Sequence, residues 1–322
     1  MRVLVTGGSG MVGKHLMYHV NNSLAPSEEF VFLSSKDCDL RVKSDVDKLF
    51  TNTKYDAIIH LAARVGGLYD NMAHNAAMFN DNMTMNMNVM TAAFESGIKR
   101  GIFCLSSCVF PAESNLPMTE EQLHSGKPHS SNRGYAYAKR MVEVLADIYN
   151  ENGAEYICVS PVNLYGAFDN FNIKQAHVIP GLMHKMKLAK ESGEQVVVWG
   201  TGVAQRQFLH AGDLARAIVC LIFDEEVKGG TFNICREIED EHGIVGPEEH
   251  TIKEVVRLLG NLMELPEDRI AYDTTKSDGI LRKTVTAKKF YQRYPHFQFM
   301  KLEDGLLHTV RWFNANMESI RK

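Results

Sequence analysis

Several features that would each point to a different kind of protein are missing from this 322-residue sequence. No apolar run approaches the roughly 18 residues needed to span a bilayer, so no membrane-crossing helix is expected. The six cysteines, at positions 38, 104, 108, 158, 220 and 235, include no Cys-x-x-Cys pair. Most lie in apolar runs such as Ile102-Phe103-Cys104-Leu105, so they read as buried free thiols of a reducing cytoplasm, and no metal site is expected. Neither sign of charge dominates: 35 basic and 39 acidic residues give a formal charge of -4. That balance offers no global attraction to nucleic acid or to an anionic membrane, and any phosphate site must be local. Met1-Arg2 leads directly into an apolar strand and glycines, which does not read as a secretory signal. Internal repeats and low-complexity tracts are also absent.

What is present is an alternation. Short apolar runs at Val3 to Thr6, Phe30 to Leu33, Ala57 to Leu61, Gly101 to Leu105 and Tyr156 to Ser160 read as buried strands. Helical stretches near 12–24, 44–50, 74–97 and 134–151 separate them. That rhythm implies an α/β chain with a doubly wound parallel sheet. After Gly166 it breaks into a Pro180-headed helix, a strand at Gln195 to Trp199, and a strand-turn-helix over Gln207 to Phe223. The expected division is a dinucleotide-binding domain of residues 1–166 and about 204–223, with a smaller discontinuous α/β cap of about 167–203 and 224–322. Within the cap, the charged stretch Arg236 to Glu249 reads as an exposed loop or insertion.

Gly7, Gly10 and Gly13 sit between the first strand and the first helix. Without side chains there, the chain turns tightly, brings backbone N–H groups to a pyrophosphate, and packs helix on sheet. An NAD signature would next place an acidic residue at the end of the second strand. That strand ends instead in Ser34-Ser35-Lys36, whose hydroxyls and ammonium suit a 2′-phosphate, so NADP(H) is the expected cofactor. The other reading makes Lys36 a solvated charge and passes the acidic role to Asp37 or Asp39.

A hydride delivered to a ketone carbon leaves an alkoxide that needs a proton, and free Tyr is too weak an acid to supply it near neutrality. A lysine one helical turn away shares its face and lowers the phenol pKa. Tyr135 and Lys139 have that i,i+4 spacing, whereas Tyr137 points elsewhere.

Ser106-Ser107-Cys108, followed by Tyr135-Ala136-Tyr137-Ala138-Lys139 in a chain opening Thr6-Gly7-Gly8-Ser9-Gly10-Met11-Val12-Gly13, resembles the extended short-chain dehydrogenase/reductase family. The resemblance implies a Rossmann-type fold. It places Ser9, Met11 and Val12 in the cofactor turn and Asp39-Leu40 at the adenine. It adds Leu61, Ala62, Ala63, Pro161, Asn163, Leu164 and His177 as cofactor contacts. Within the family, the stretch Val109-Phe110-Pro111 assigns the active serine to Ser106, leaving Ser107 to pack or cap the turn.

Cys108 narrows the resemblance to the GDP-L-fucose synthase branch, which Asn163-Leu164-Tyr165-Gly166, Asp169-Asn170-Phe171, Ala176 to Pro180 and Lys276-Ser277-Asp278-Gly279 also resemble. That likeness implies epimerisation of GDP-4-keto-6-deoxy-D-mannose at C3 and C5 and NADPH-dependent reduction at C4. In it Cys108 is the base and His177 the acid, while Ser106 and Tyr135 hold the enolate oxygen. Arg206 and Lys283 match the cations for the diphosphate, and Asn163, Val178, Leu182, Val198 and Trp199 are the remaining substrate contacts. Asn82 or Asn86 would steady the cofactor or a relay water. The methionine-rich run Met83 to Met90 would add apolar area to a homodimer interface of four helices, two from each copy. Two other readings stand beside this one: an NAD-dependent nucleotide-sugar 4-epimerase or 4,6-dehydratase, and a catalytically silent NADP-binding regulator.

Overall fold

The computed structural model describes residues 1–241 and 243–321. Strand and helix alternate through the first half: β1 (Arg2–Thr6), α1 (Met11–Ser23), β2 (Glu29–Leu33), α2 (Lys43–Asn52), β3 (Ala57–His60), α3 (Leu68–Ala73), α4 (Asn75–Glu95), β4 (Arg100–Cys104), α5 (Arg133–Glu151) and β5 (Glu155–Pro161). Strands β1, β3, β4 and β5 are almost wholly buried, as strands covered by helices on both faces must be. The helix expected over 74–97 is α4, and His74, whose backbone is not helical (φ -124°, ψ 29°), separates it from the short α3 ahead of it.

The second half continues with β6 (Asn163–Tyr165), α6 (Val178–Ser192), β7 (Val196–Trp199), β8 (Gln205–Arg206), β9 (Phe208–His210), α7 (Ala211–Phe223), β10 (Gly230–Ile234), β11 (Glu237–Asp240), β12 (Gly243–Pro247), β13 (His250–Thr251), α8 (Ile252–Leu262), β14 (Ile270–Asp273), α9 (Lys288–Arg293) and α10 (Leu302–Ala315). The main sheet runs β10-β5-β4-β3-β1-β2, and every neighbouring pair is parallel. Because β2 and β3 lie on opposite sides of β1, the connections leave in opposite directions and open a crevice at the carboxyl ends of β1 and β3. The doubly wound parallel α/β sheet read from the sequence is the fold observed.

Two hydrophobic cores underlie two halves. The first surrounds the main sheet. The second joins α6, β7, α8 and α10 through Ile179, Met183, Val198, Val255, Leu259, Leu306 and Phe313. The boundary expected at residue 224 does not follow these cores. Strand β10 is the sixth strand of the main sheet, and Val285, Phe290, Tyr291, Phe297 and Phe299 pack into the first core. The chain thus returns to the first half after α7, since β5 would otherwise present an open edge.

The stretch Arg236 to Glu249 is also not a plain loop. Strands β11 and β12 form an antiparallel hairpin, with a register shift between Ile238 and Glu239; His242 lies outside the described residues. Charge hid the strand signal here, because β11 is exposed after its first residue. All six cysteines are free, with Cys158 and Cys235 buried and Cys38, Cys104, Cys108 and Cys220 only partly so.

Candidate active site

The glycine turn makes a cradle with no room for side chains. Gly7 is left-handed (φ +72°), and a Cβ there would stand 2.7 Å from Ala62 N. One on Gly13 would stand 2.5 Å from the Gly7 carbonyl oxygen. No side chain caps α1 and no acid lies in its first turn. The free N–H groups and positive helix end therefore face whatever anion enters.

A cavity of about 880 Å³ opens above this turn. It is lined by Gly7, Ser9, Gly10, Met11, Val12, Gly13, Ser35, Asp39 and Leu40, and further along by Leu61, Ala62, Ala63, Pro161, Asn163 and Leu164. Lys36 does not line it. Asp37 accepts from Ser34 N and Oγ at 2.7 Å, closing a tight turn from which the Lys36 side chain leaves into solvent. Four cations line it, Arg41, Arg64, Lys139 and Arg321, of which the sequence singled out only Lys139. Arg41 grips Asp39 through Nε at 2.9 Å and Nη2 at 2.8 Å, and Arg64 pairs with Asp81 at 2.7 Å. The Arg41 guanidinium holds the Asp39 carboxyl well below the usual range.

A second cavity of about 410 Å³ lies between the halves. Asn163, Val178, Leu182, Val198, Trp199, Arg206 and Lys283 all line it, as does Cys108. Trp199 is 42% exposed, so it is not a core residue. Lys185 Nζ sits 4.3 Å from its ring centroid, and the Tyr69 ring meets it edge-on at 4.9 Å. Tyr69 and Lys185 come from α3 and α6, and no local pattern could have joined them to Trp199.

The cavities meet at Ser106, Ser107, Tyr135, Asn163, Leu164 and His177, which line both. Ser106, rather than Ser107, caps the short 3₁₀ turn Ser107–Val109, its Oγ accepting from Cys108 N at 3.4 Å. Lys139 is 1% exposed and lines the first cavity only. Its Nζ donates to the Cys104 carbonyl at 2.6 Å and stands 6.0 Å from the Tyr135 ring centroid. Arg140 next to it donates to the Val109 carbonyl at 2.6 Å, tying α5 to the Cys108 turn. His177 occupies the N-cap position of α6, yet its side chain makes no capping bond.

Burial pushes the Tyr135 phenol well up and the His177 imidazole down. It also raises the Cys108 thiol, against which Lys283, the Ser106 hydroxyl, Lys139 and Arg140 pull toward the thiolate. Two expected participants stand outside both cavities. Asn82 is spent on the loop after β3, accepting from Arg64 N at 2.9 Å and donating to Arg64 O at 3.0 Å. Asn86 is bonded to His60. Both lie on the buried face of α4, whose packing takes them away from any ligand. Asn71 and Arg321 also reach the first cavity from segments without a recognisable motif, and Asp169 reaches it from the Asp169-Asn170-Phe171 stretch.

Residues 3–235 match the NAD dependent epimerase/dehydratase family. A GDP-L-fucose synthase of Dictyostelium discoideum is 38% identical over 99% of this chain and 97% of its own length. A probable GDP-L-fucose synthase of Drosophila melanogaster is 35% identical over 100% and 99%. Among solved structures, a GDP-L-fucose synthetase from Naegleria fowleri bound to NADP superposes with a TM-score of 0.89 at 36% identity, covering 100% of this chain and 96% of that one. The chain belongs to the NAD dependent epimerase/dehydratase family and, within it, to the group of the GDP-L-fucose synthases.

Proposed function

We propose that the protein converts GDP-4-keto-6-deoxy-D-mannose to GDP-L-fucose, by epimerisation at C3 and C5 and NADPH-dependent reduction at C4. The observation that carries this reading is the junction of the two cavities: a tyrosine with its lysine, a serine, a thiol and an imidazole converge where a dinucleotide site meets a cation-lined one. NADP(H) fits the first cavity because the glycine cradle leaves no room for side chains and the α1 N-terminus is free. Bound there, NADPH supplies the hydride that C4 receives.

The chain's own residues do the rest. The C4 ketone acidifies the C–H bonds at C3 and C5. Cys108 removes a proton from one face, Ser106 and Tyr135 hold the enolate oxygen, and His177 returns a proton to the opposite face. Burial raises the Cys108 thiol, and Lys283 is the largest influence that pulls it toward the thiolate the base role needs. In the reduction Tyr135 gives its proton to O4, and Lys139 stabilises the tyrosinate that remains. Arg206 and Lys283 answer the diphosphate, Trp199 lies against guanine or sugar, and Asn163 holds a sugar hydroxyl. With Tyr135 and Lys139 both in place, a silent regulator has no support from the site.

The division into a cofactor domain and a cap, assigned by core rather than by residue 224, belongs to the same proposal. So does a homodimer through α4 and α5, on which Phe79, Met87 and Ile148 are exposed. A cytoplasmic location is part of the same proposal, supported by six free thiols. Among the described residues, no helix is long and apolar enough to cross a membrane.

The test is incubation with GDP-4-keto-6-deoxy-D-mannose and NADPH, with the sugar identified by NMR. GDP-L-fucose with one NADPH consumed per sugar is expected; a product retaining the configuration at C3 and C5 would refute the epimerase half. Light scattering at micromolar concentration should give twice the chain mass, and Ile148→Glu should halve it.

A further inference from the structure

A chain of buried polar side chains runs beneath the site and touches neither ligand cavity at its centre. Thr6 ends β1 at the glycine turn, His60 ends β3, and Asn86 lies midway along α4. Thr6 and His60 are 0% exposed and Asn86 is 3% exposed. Thr6 Oγ1 and His60 Nδ1 are 2.7 Å apart, His60 Nε2 and Asn86 Oδ1 are 3.0 Å apart, and Asn86 Nδ2 lies 3.4 Å from the carbonyl oxygen of Ala138.

The proton directions follow from the far end. Ala138 O can only accept, so the amide nitrogen of Asn86 faces it and Asn86 Oδ1 faces His60. His60 must then carry its proton on Nε2, Nδ1 must accept, and the Thr6 hydroxyl must donate. Thr6 Oγ1 remains an acceptor for Ala62 N, at 3.4 Å. Burial, and after it the Lys139 charge, holds the His60 pKa at about 3, so the ring stays neutral and keeps one tautomer at working pH.

We infer that His60 is a positioning residue for the reduction: through Thr6 and Asn86 it sets the Lys139 turn of α5 against the strand end where the glycine turn begins. Three consecutive residues of α5 are tethered at this level. Ala138 is held through Asn86, Lys139 by the Cys104 carbonyl and Arg140 by the Val109 carbonyl. The last two tie α5 to β4 and to the Cys108 turn. Only the first ties it to β1 and β3, the strands that flank the crevice. An apolar trio would fill the same space, but it would leave the helix free to slide along a greasy face, whereas a satisfied polar chain admits one register. A lysine and tyrosine displaced by about 1 Å can lose roughly a hundredfold in rate.

The inference rests on the reductase reading above, and its test separates the two. Thr6→Val is isosteric and removes only the hydroxyl, Thr6→Ser keeps it, and His60→Leu removes both ring nitrogens. With NADPH deuterated at the transferred position, Thr6→Val and His60→Leu should lower kcat at least tenfold and raise the isotope effect on kcat. KM for the sugar nucleotide and Kd for NADPH, measured by cofactor fluorescence, should stay within twofold. Thr6→Ser should match the unsubstituted protein.

In parallel, hydrogen exchange over 136–140 should slow at least fivefold when NADPH binds to the unsubstituted protein, and should not slow in Thr6→Val. If His60→Leu does not fold, Thr6→Val carries the test. A loss of kcat that tracks a fall in Tm with an unchanged isotope effect would reduce the chain to a structural role. A loss confined to NADPH Kd would make Thr6 a cofactor contact only; either result overturns the inference. If the unsubstituted protein does not turn over the sugar nucleotide, the functional reading fails, and the exchange experiment alone decides whether the chain links cofactor turn to helix.

Discussion

In the first cavity two of the cations, Arg41 and Arg64, are already matched by carboxylates. Arg41 holds Asp39, and Arg64 holds Asp81, so positive charge for a dinucleotide comes from backbone N–H groups and the end of α1 as much as from side chains. In the second cavity none of Lys185, Arg206 and Lys283 forms an ion pair among the described residues. Lys185 donates to the carbonyl of Val197, Arg206 to those of Gln205 and Asp278, and Lys283 to that of Phe110. Burial lowers the pKa of all three. On the proposed function, a half that meets its ligand by backbone would tolerate matched side-chain charges, whereas a half that meets a diphosphate by side chains would need its cations unspent. The difference explains why a protein with a formal charge of -4 can hold two polyanions.

Six substitutions would break or sharpen that contrast. The largest effect belongs to the junction. Tyr135→Phe removes the proton that O4 needs and should slow NADPH oxidation by about a thousandfold, within the usual range for a lost general acid. Its NADPH affinity should not change, because the cradle is backbone. A variant still reducing at more than a tenth of the normal rate would move the acid elsewhere.

Asp169 lies where the chain passes from the first half to the second, 5% exposed, with Oδ2 unpartnered among the described residues. Burial raises its carboxyl pKa to about 7. Unfolded, the group titrates near 3.9, so between about pH 4 and 7 the folded state holds more protons than the unfolded one. Stability attributable to this group therefore falls as pH rises through that window, and above it the full cost of the buried charge applies. Asp169→Asn should raise stability by about 3 kcal/mol at pH 8 and by little at pH 4, read from urea unfolding at both values. An equal gain at both would show that the carboxylate is solvated in the folded state.

Cys108→Ser should leave hydride transfer machinery intact while inversion falls by roughly a hundredfold, a typical loss for one acid/base partner. Solvent deuterium entering C3 and C5 measures it. Lys283→Ala should move the pH midpoint of that exchange upward, because Lys283 is the largest influence favouring the thiolate. An unmoved midpoint would leave Lys283 to the diphosphate alone.

The smallest effect tests the matched half. Arg41→Ala should weaken NADPH binding by roughly tenfold without changing NADH, since a charge-assisted bond is worth about 1.5–3 kcal/mol and Asp39 reclaims part of it. Lys36→Ala, outside the cavity, should change either by less than about twofold, which is within the noise of an exposed charge. A larger effect of Lys36→Ala would place its side chain on the 2′-phosphate after all.

Sequence by itself determined the features whose physics is local. Gly7, Gly10 and Gly13 declare a turn, with no room for a side chain at Gly7 or Gly13, and the short buried strands separated by helices leave a doubly wound sheet as the compact solution. Tyr135 and Lys139 share a face because a helix repeats every 3.6 residues. The second cavity was legible only through resemblance, since its residues come from β7, β8, α6 and the segment around Lys283 and no periodicity links them.

Tertiary structure alone decided the rest. It sent Lys36 outward and Arg41 inward, because the Asp37 turn reverses the chain between them. It returned β10 to the main sheet and made Arg236 to Glu249 a hairpin, because an edge must be paired and strand partners lie far apart in sequence. It also turned Asn82 and Asn86 away from the ligands. A side chain's neighbours are set by which faces pack, and packing is a property of the whole chain.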